Sequence, residues 1–232
     1  MTILAEPVAD TTTDPRWQPV RVTAHTGEPI VGLSTNALHL DGPLAYAAWL
    51  DHVTEYGHDS LPPLAEAATD FMLPLATWTT QHPTRDGDTV WGWACSRAHY
   101  QDPAHTVVDI RRRPETEVMA RLGHDAKHHL SAGPLKARDR PIEAVITLEL
   151  HWWALADPDP LRTLLTRVHA VGRHTRHGNG RVLSWTVAID PDARLRWRDR
   201  TWPAAGGQPD SIRAPYHHPS RRMPCSQQAP AC

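Results

Sequence analysis

Residues 142–155 read IEAVITLELHWWAL, residues 158–171 read PDPLRTLLTRVHAV, and residues 181–189 read RVLSWTVAI. The first run is rich in β-branched and aromatic side chains with one face mostly apolar, which predicts a strand. The second places Leu161, Leu164, Leu165 and Val168 on one face at helical spacing, and Gly172 stands where a helix would stop. The third alternates as a strand again. Trp152 and Trp153 are adjacent, so on a strand they face opposite sides, and at most one of them is expected in the core.

The same strand–helix order recurs upstream. Val20 and Val22 alternate with Arg21 and Thr23 over residues 20–25, and HLDGPLAYAAWLDHVTEYG follows at residues 39–57. Asp41 suits an N-cap, Pro43 a first turn and Gly57 a stop, so a helix is expected over residues 42–56. Two strands are expected at 75–80 and 89–96, turning at Arg85, Asp86 and Gly87, and a third strandlike piece at 107–113 ends in three arginines. The order is β-α-β-β, a long insertion, β-α-β. Without the insertion and one extra hairpin this leaves βαββαβ. That is an α+β, ferredoxin-like (RRM-like) arrangement, an antiparallel sheet with two helices on one face, carrying an inserted basic hairpin or thumb and a glycine-rich loop before the last strand. The open face of such a sheet is a platform for RNA. Residues 1–15 read as a mobile tail, 16–203 as one domain with its insertion at about 104–141, and the Pro-, Gly- and Ser-rich stretch 204–232 as an irregular tail.

The chain has 232 residues, 40% of them hydrophobic and 22% charged, a globular composition. No run of about eighteen apolar residues occurs and the N-terminus lacks a signal-peptide pattern, so the cytoplasm is the expected location. Cys95, Cys225 and Cys232 form no disulfide framework and no zinc pair, and Cys95 reads as a buried, inert thiol. The formal net charge of −2 hides an asymmetry. Residues 1–110 carry 4 basic and 14 acidic side chains, residues 111–232 carry 20 and 12, for nets of −10 and +8. The split points to an anionic partner for the second half.

Four groups of residues carry candidate chemistry. VGRHTRHGNGRV interleaves Gly172, Gly178 and Gly180 with Arg173, His174, Arg176, His177, Asn179 and Arg181. Glycines admit close approach of an anion, backbone N–H groups can form a nest, and arginines add charge-assisted hydrogen bonds to phosphate. It is neither a Walker loop nor a Rossmann turn, since it lacks the Lys-Ser/Thr pair and follows a helix. Arg111, Arg112 and Arg113, with Arg121, Lys127, Lys136, Arg138 and Arg140, make the insertion basic. Among the 16 histidines no metal-binding spacing occurs, and no metal or cofactor is expected; His39, His174 and His177 are the candidates for acid–base work on RNA. Trp91, Trp93, Trp152 and Trp153 lie on strands, and core packing is expected for at least half of them.

HLDGPLAYAAW at residues 39–49 resembles the start of the first helix in a family of CRISPR proteins. WGWACSRA, DIRRRPE, GPLKARDRP and VGRHTRHGNGRVLSWTV follow in the matching order. Together, over residues 20–189, they resemble the repeat-associated RNA-binding (RAMP) superfamily, and within it the small backbone-capping subunit of type IV CRISPR effector complexes. The resemblance implies a structural RNA binder rather than a nuclease. Such a subunit holds the 5′ handle of the guide RNA, caps a filament of backbone subunits and touches the large subunit. By motif, the contacts with RNA would come from the loop Gly172 to Gly180, from Arg111, Arg112 and Arg113, from Lys136 and Arg138, and from Ser96 and Arg97. A metal-independent endoribonuclease that processes precursor RNA, and a protein-only interaction module, are the alternative readings.

Overall fold

A computed structural model describes residues 3–4, 8–33, 37–63, 66–112 and 138–227. The chain is α+β, with mostly antiparallel sheets and few helices, compatible with the ferredoxin-like expectation. Strand β1 (Gln18–Thr26) lies at the centre of a three-stranded sheet, between β7 (Glu149–Ala156) and β8 (Val182–Ile189), antiparallel to both. On the other edge of β7 an irregular segment continues the sheet through the bridges Cys95↔Ala154 and His99↔His151. One sheet face carries Val20, Val22, Ala24, Leu150, Trp152 and Ala154, all fully buried.

Helix α1 (Asp41–Tyr56) packs on this face with Leu44, Ala47 and Ala48, the i, i+3, i+4 stripe that its sequence spells. It ends as expected at Gly57, whose N–H donates to the Val53 carbonyl at 2.8 Å. Its start differs from expectation. Leu40 takes the N-cap position and Asp41 is buried inside the helix, where its carboxylate is drawn to other partners. Helix α2 (Pro158–Leu165) adds Leu161, Leu164 and Leu165 to the same core but stops six residues short of the expected end. Beyond it the chain is held by an isolated bridge, Ala170 opposite Arg181 just before β8.

The run at 142–155 is two strands rather than one. Strand β6 (Arg138–Ile146) pairs with β5 (Ala104–Arg112) and with the short β2 (Ile30–Val31), whereas β7 pairs with β1. The change of partner falls at Thr147 and Leu148, whose carbonyls are taken by the hydroxyl and the amide of Thr26. The apolar pattern runs through this junction without a turn residue, so nothing in it marks the break. Strands β3 (Thr77–Gln81) and β4 (Thr89–Trp93) form the extra hairpin.

Residues 204–227 are ordered structure, not an irregular tail. Strand β9 (Trp202–Ser211) pairs with β10 (Arg222–Ser226). With Trp202, Ile212 and Cys225 they build a second hydrophobic cluster around Trp78, Val90, Leu155 and Trp197. The prolines and glycines of β9 hide it from pattern reading; edge strands and bulges accept them, and the register does shift between Pro224 and Cys225.

Trp152 and Trp153 face opposite sides of β7, as alternation requires, yet both are buried. The second face is covered there. The Arg196 guanidinium of the four-residue helix α3 (Ala193–Arg196) lies 3.3 Å above the Trp153 ring centroid, and His99 meets it edge-on. Trp91 and Trp93 are buried too, so none of these four rings is open for base stacking.

Candidate nucleic-acid interface

The glycine-rich loop is a rigid excursion clamped at its base. The Arg173 N–H donates to the Val31 carbonyl, Gly180 N–H to the Pro29 carbonyl, and Val171 N–H to the Gly180 carbonyl, each at 2.8 Å. A Cβ on Gly172 would sit 2.7 Å from the Val31 oxygen, and one on Gly180 only 1.9 Å from the Val171 oxygen. Both residues have positive φ, so these two glycines are there for backbone approach within the protein. The loop tip is a single 3-10 turn over Thr175–His177, closed by Gly178 N–H to the Thr175 carbonyl. Four of the loop's N–H groups, those of Arg173, His177, Gly178 and Gly180, are thus taken within the protein and do not form an anion nest. What the loop presents outward is side chains. Arg173, Arg176 and His177 are exposed, with Arg176 Nε 3.3 Å from His177 Nε2. His174 is half-buried in the left-handed conformation, and Asn179 is buried with its amide donating to the His174 carbonyl.

The two basic stretches predicted separately are brought together by register. In the β5–β6 hairpin Arg112 stands opposite Arg138 and Arg111 opposite Asp139. The Arg111 guanidinium lies 3.5 Å from the Asp139 carboxylate, both well exposed. Arg113 and Lys136 lie outside the described residues. The hairpin and the loop share one sheet, because β2 pairs with β6 at Val31↔Ala144 and bridges to Arg173 on its other side. From Ala144 to the Asp139 level is about 17 Å along β6. Ser96 and Arg97 are used inside the fold. Ser96 is fully buried and its hydroxyl accepts the Trp153 N–H, while Arg97 pairs with Asp199 at 3.1 Å.

Between the loop and the β9–β10 hairpin lies a cleft of about 500 Å³, which pattern reading missed because one wall is the supposed tail. Beneath it is a buried polar centre. The Asp41 carboxylate accepts the Tyr216 hydroxyl at 2.6 Å and the Ala214 N–H at 3.1 Å, and the Cys95 thiol lies 3.5 Å away. Arg200, also fully buried, donates to the carbonyls of Trp93, Cys95 and Ile212. His39 stacks on Tyr216 with ring centroids 5.2 Å apart. Its Nε2 accepts the Thr201 N–H at 3.1 Å. Burial, then Arg200 and Arg97, hold the His39 pKa well below its usual value, so the ring is neutral with its proton on Nδ1. Proposed from sequence as a base for RNA chemistry, His39 is 2% exposed.

This centre predicts a stability profile with losses on both sides of neutrality. The unfolded chain protonates His39 near the ordinary histidine value of 6.5 and the folded chain does not, so stability should fall as pH drops below that value. His99 and His151, also lowered by desolvation first, add to the same slope. Cys95 and Tyr216 are pushed up by burial and then by Asp41. The folded state keeps protons that the unfolded chain loses above the ordinary cysteine and tyrosine values of 9.0 and 10.0, so stability should fall again there. Denaturation midpoints measured across pH check this; a midpoint that does not move on acidification contradicts the buried neutral histidine.

Among the described residues no helix is long and apolar enough to cross a membrane. Part of the charge asymmetry is satisfied within the chain. Asp70 alone takes Arg213 and Arg221, at 3.4 and 2.5 Å, and Asp51 lies 3.6 Å from Arg167. No curated protein matches the chain. A family model described as CRISPR type IV associated protein Csf3 matches residues 18–227, from the first residue of β1 to the residue after β10. The chain therefore belongs to that family and is a component of type IV CRISPR complexes.

Proposed function

We propose that the chain is a non-catalytic RNA-binding subunit that holds the 5′ handle of the guide RNA. In this reading it caps the backbone filament of the type IV effector complex and contacts the large subunit. Its centre is read as the ferredoxin-like βαββαβ unit of the RAMP superfamily, with β8, β1, β7 and the segment at 94–99 side by side. The observation that carries the RNA reading is the loop: exposed Arg173, Arg176 and His177 on a backbone fixed by three internal hydrogen bonds, next to a hairpin with arginines at its far end. Guanidinium groups held on a preformed loop bind phosphates without a large ordering cost. The covered Trp153 face argues for binding through this arginine surface rather than by stacking on the sheet.

Replacing Arg173 and Arg176 together with alanine should weaken binding of handle RNA about tenfold or more. The slope of log affinity against log salt should fall by about one for each phosphate that is no longer neutralised. Fluorescence anisotropy at several salt concentrations measures both. Unchanged affinity in a variant with wild-type melting behaviour would sink the proposal.

A further inference from the structure

We propose that the cleft between the glycine-rich loop and the β9–β10 hairpin is a nucleotide site, taking one phosphate-bearing residue of single-stranded RNA between Arg173 and Arg222. It rests on the RNA-binding reading above and adds a second wall to it. The cleft measures about 500 Å³, a volume suited to one nucleotide and too small for a duplex. Arg173 of the loop, Arg222 at the start of β10 and His217 all line it. All three are exposed, and among the described residues neither arginine makes an ion pair. Gly32 makes room for the Arg173 stem: a Cβ there would meet Arg173 Cγ and Cδ at 3.1 Å. Asp210 also lines the cleft, and its carboxylate accepts the Ser211 N–H at 2.7 Å.

The stacked His39–Tyr216 pair also lines the cleft and is anchored, Tyr216 by Asp41 and His39 by Thr201. His39 Nδ1 is a buried donor without a partner. Two exposed guanidiniums and an aromatic pair lining one cleft suit a phosphate with its nucleoside. A protein side chain would bring one charge and no matching ring.

The test uses the full chain and a fluorescein-labelled single-stranded RNA of about ten nucleotides. Arg222→Ala should weaken binding about tenfold and lower the salt slope by about one. Arg222→Lys should recover part of the loss. Arg194→Ala removes the same charge from α3, does not line the cleft, and should leave affinity unchanged. If the paired Arg173 and Arg176 replacements weaken binding and Arg222→Ala does not, the nucleotide site is overturned and the loop reading stands. An equal loss in Arg194→Ala would reduce the effect to bulk charge and also overturn the site. If the wild-type chain does not bind the RNA, both readings fall together.

Discussion

Replacing Asp41 with alanine is expected to cost about 3–5 kcal/mol of folding stability, the scale of breaking a buried charged network by removing one partner. The carboxylate is fully buried. It holds the backbone of Ala214 and the hydroxyl of Tyr216, residues far along the chain from α1. Without it those donors are left unsatisfied, and the positive charge of buried Arg200 loses a nearby anion. Asp41→Asn keeps the shape and an acceptor oxygen, so a smaller loss is expected. Urea midpoints for the two variants give the comparison. Alkaline titration of Tyr216 gives a second, local signal: its pKa, raised by burial and then by the Asp41 charge, should move down in Asp41→Asn. A loss for alanine below about 1 kcal/mol would show that the carboxylate does not organise this centre.

Gly180→Ala is expected to be nearly as damaging, by about 3 kcal/mol or more, while Gly178→Ala two residues away costs about 1. Both glycines have positive φ, +67 and +88. A methyl group on Gly178 meets nothing within 4 Å, whereas on Gly180 it would sit 1.9 Å from the Val171 carbonyl oxygen. That oxygen is backbone and cannot swing away. Moving it would pull on the Val171–Gly180 and Gly180–Pro29 hydrogen bonds that fix the loop. Thermal melts of the two variants separate steric clash from backbone strain. Equal losses would mean that the loop base is not packed as described.

Pattern reading went furthest where one physical rule acts alone. The apolar stripes of α1 and α2 and the alternation in β1 and β8 each report a half-buried element, and these elements stand where expected, α2 without its last six residues. It failed where tertiary partners override local signals. The junction at Thr147 and Leu148 separates strands by a change of neighbour. The connection between β9 and β10 is held by Asp41, Asp70 and Arg200, through Ala214, Arg213, Arg221 and Ile212, all distant in sequence from the two carboxylates. Of the candidate site, the outward arginines were legible because charge and glycine spacing sit together in one short stretch. Gly172, Gly180 and Ser96 were legible as notable residues, but their reason is packing against Val31, Val171 and Trp153. The cleft was not legible, since its walls come from positions as distant as Val31 and Arg222.

The Asp41 and Asp70 contacts also set a timetable for synthesis. Asp41 is separated from Ala214 by 173 residues and Asp70 from Arg221 by 151. At typical translation speeds the ribosome needs on the order of ten seconds to cover such distances. Over that interval two carboxylates destined for the interior wait without the hydrogen-bond donors that hold them there. The nascent chain is expected to stay open to chaperones and proteases until residues 214–221 emerge.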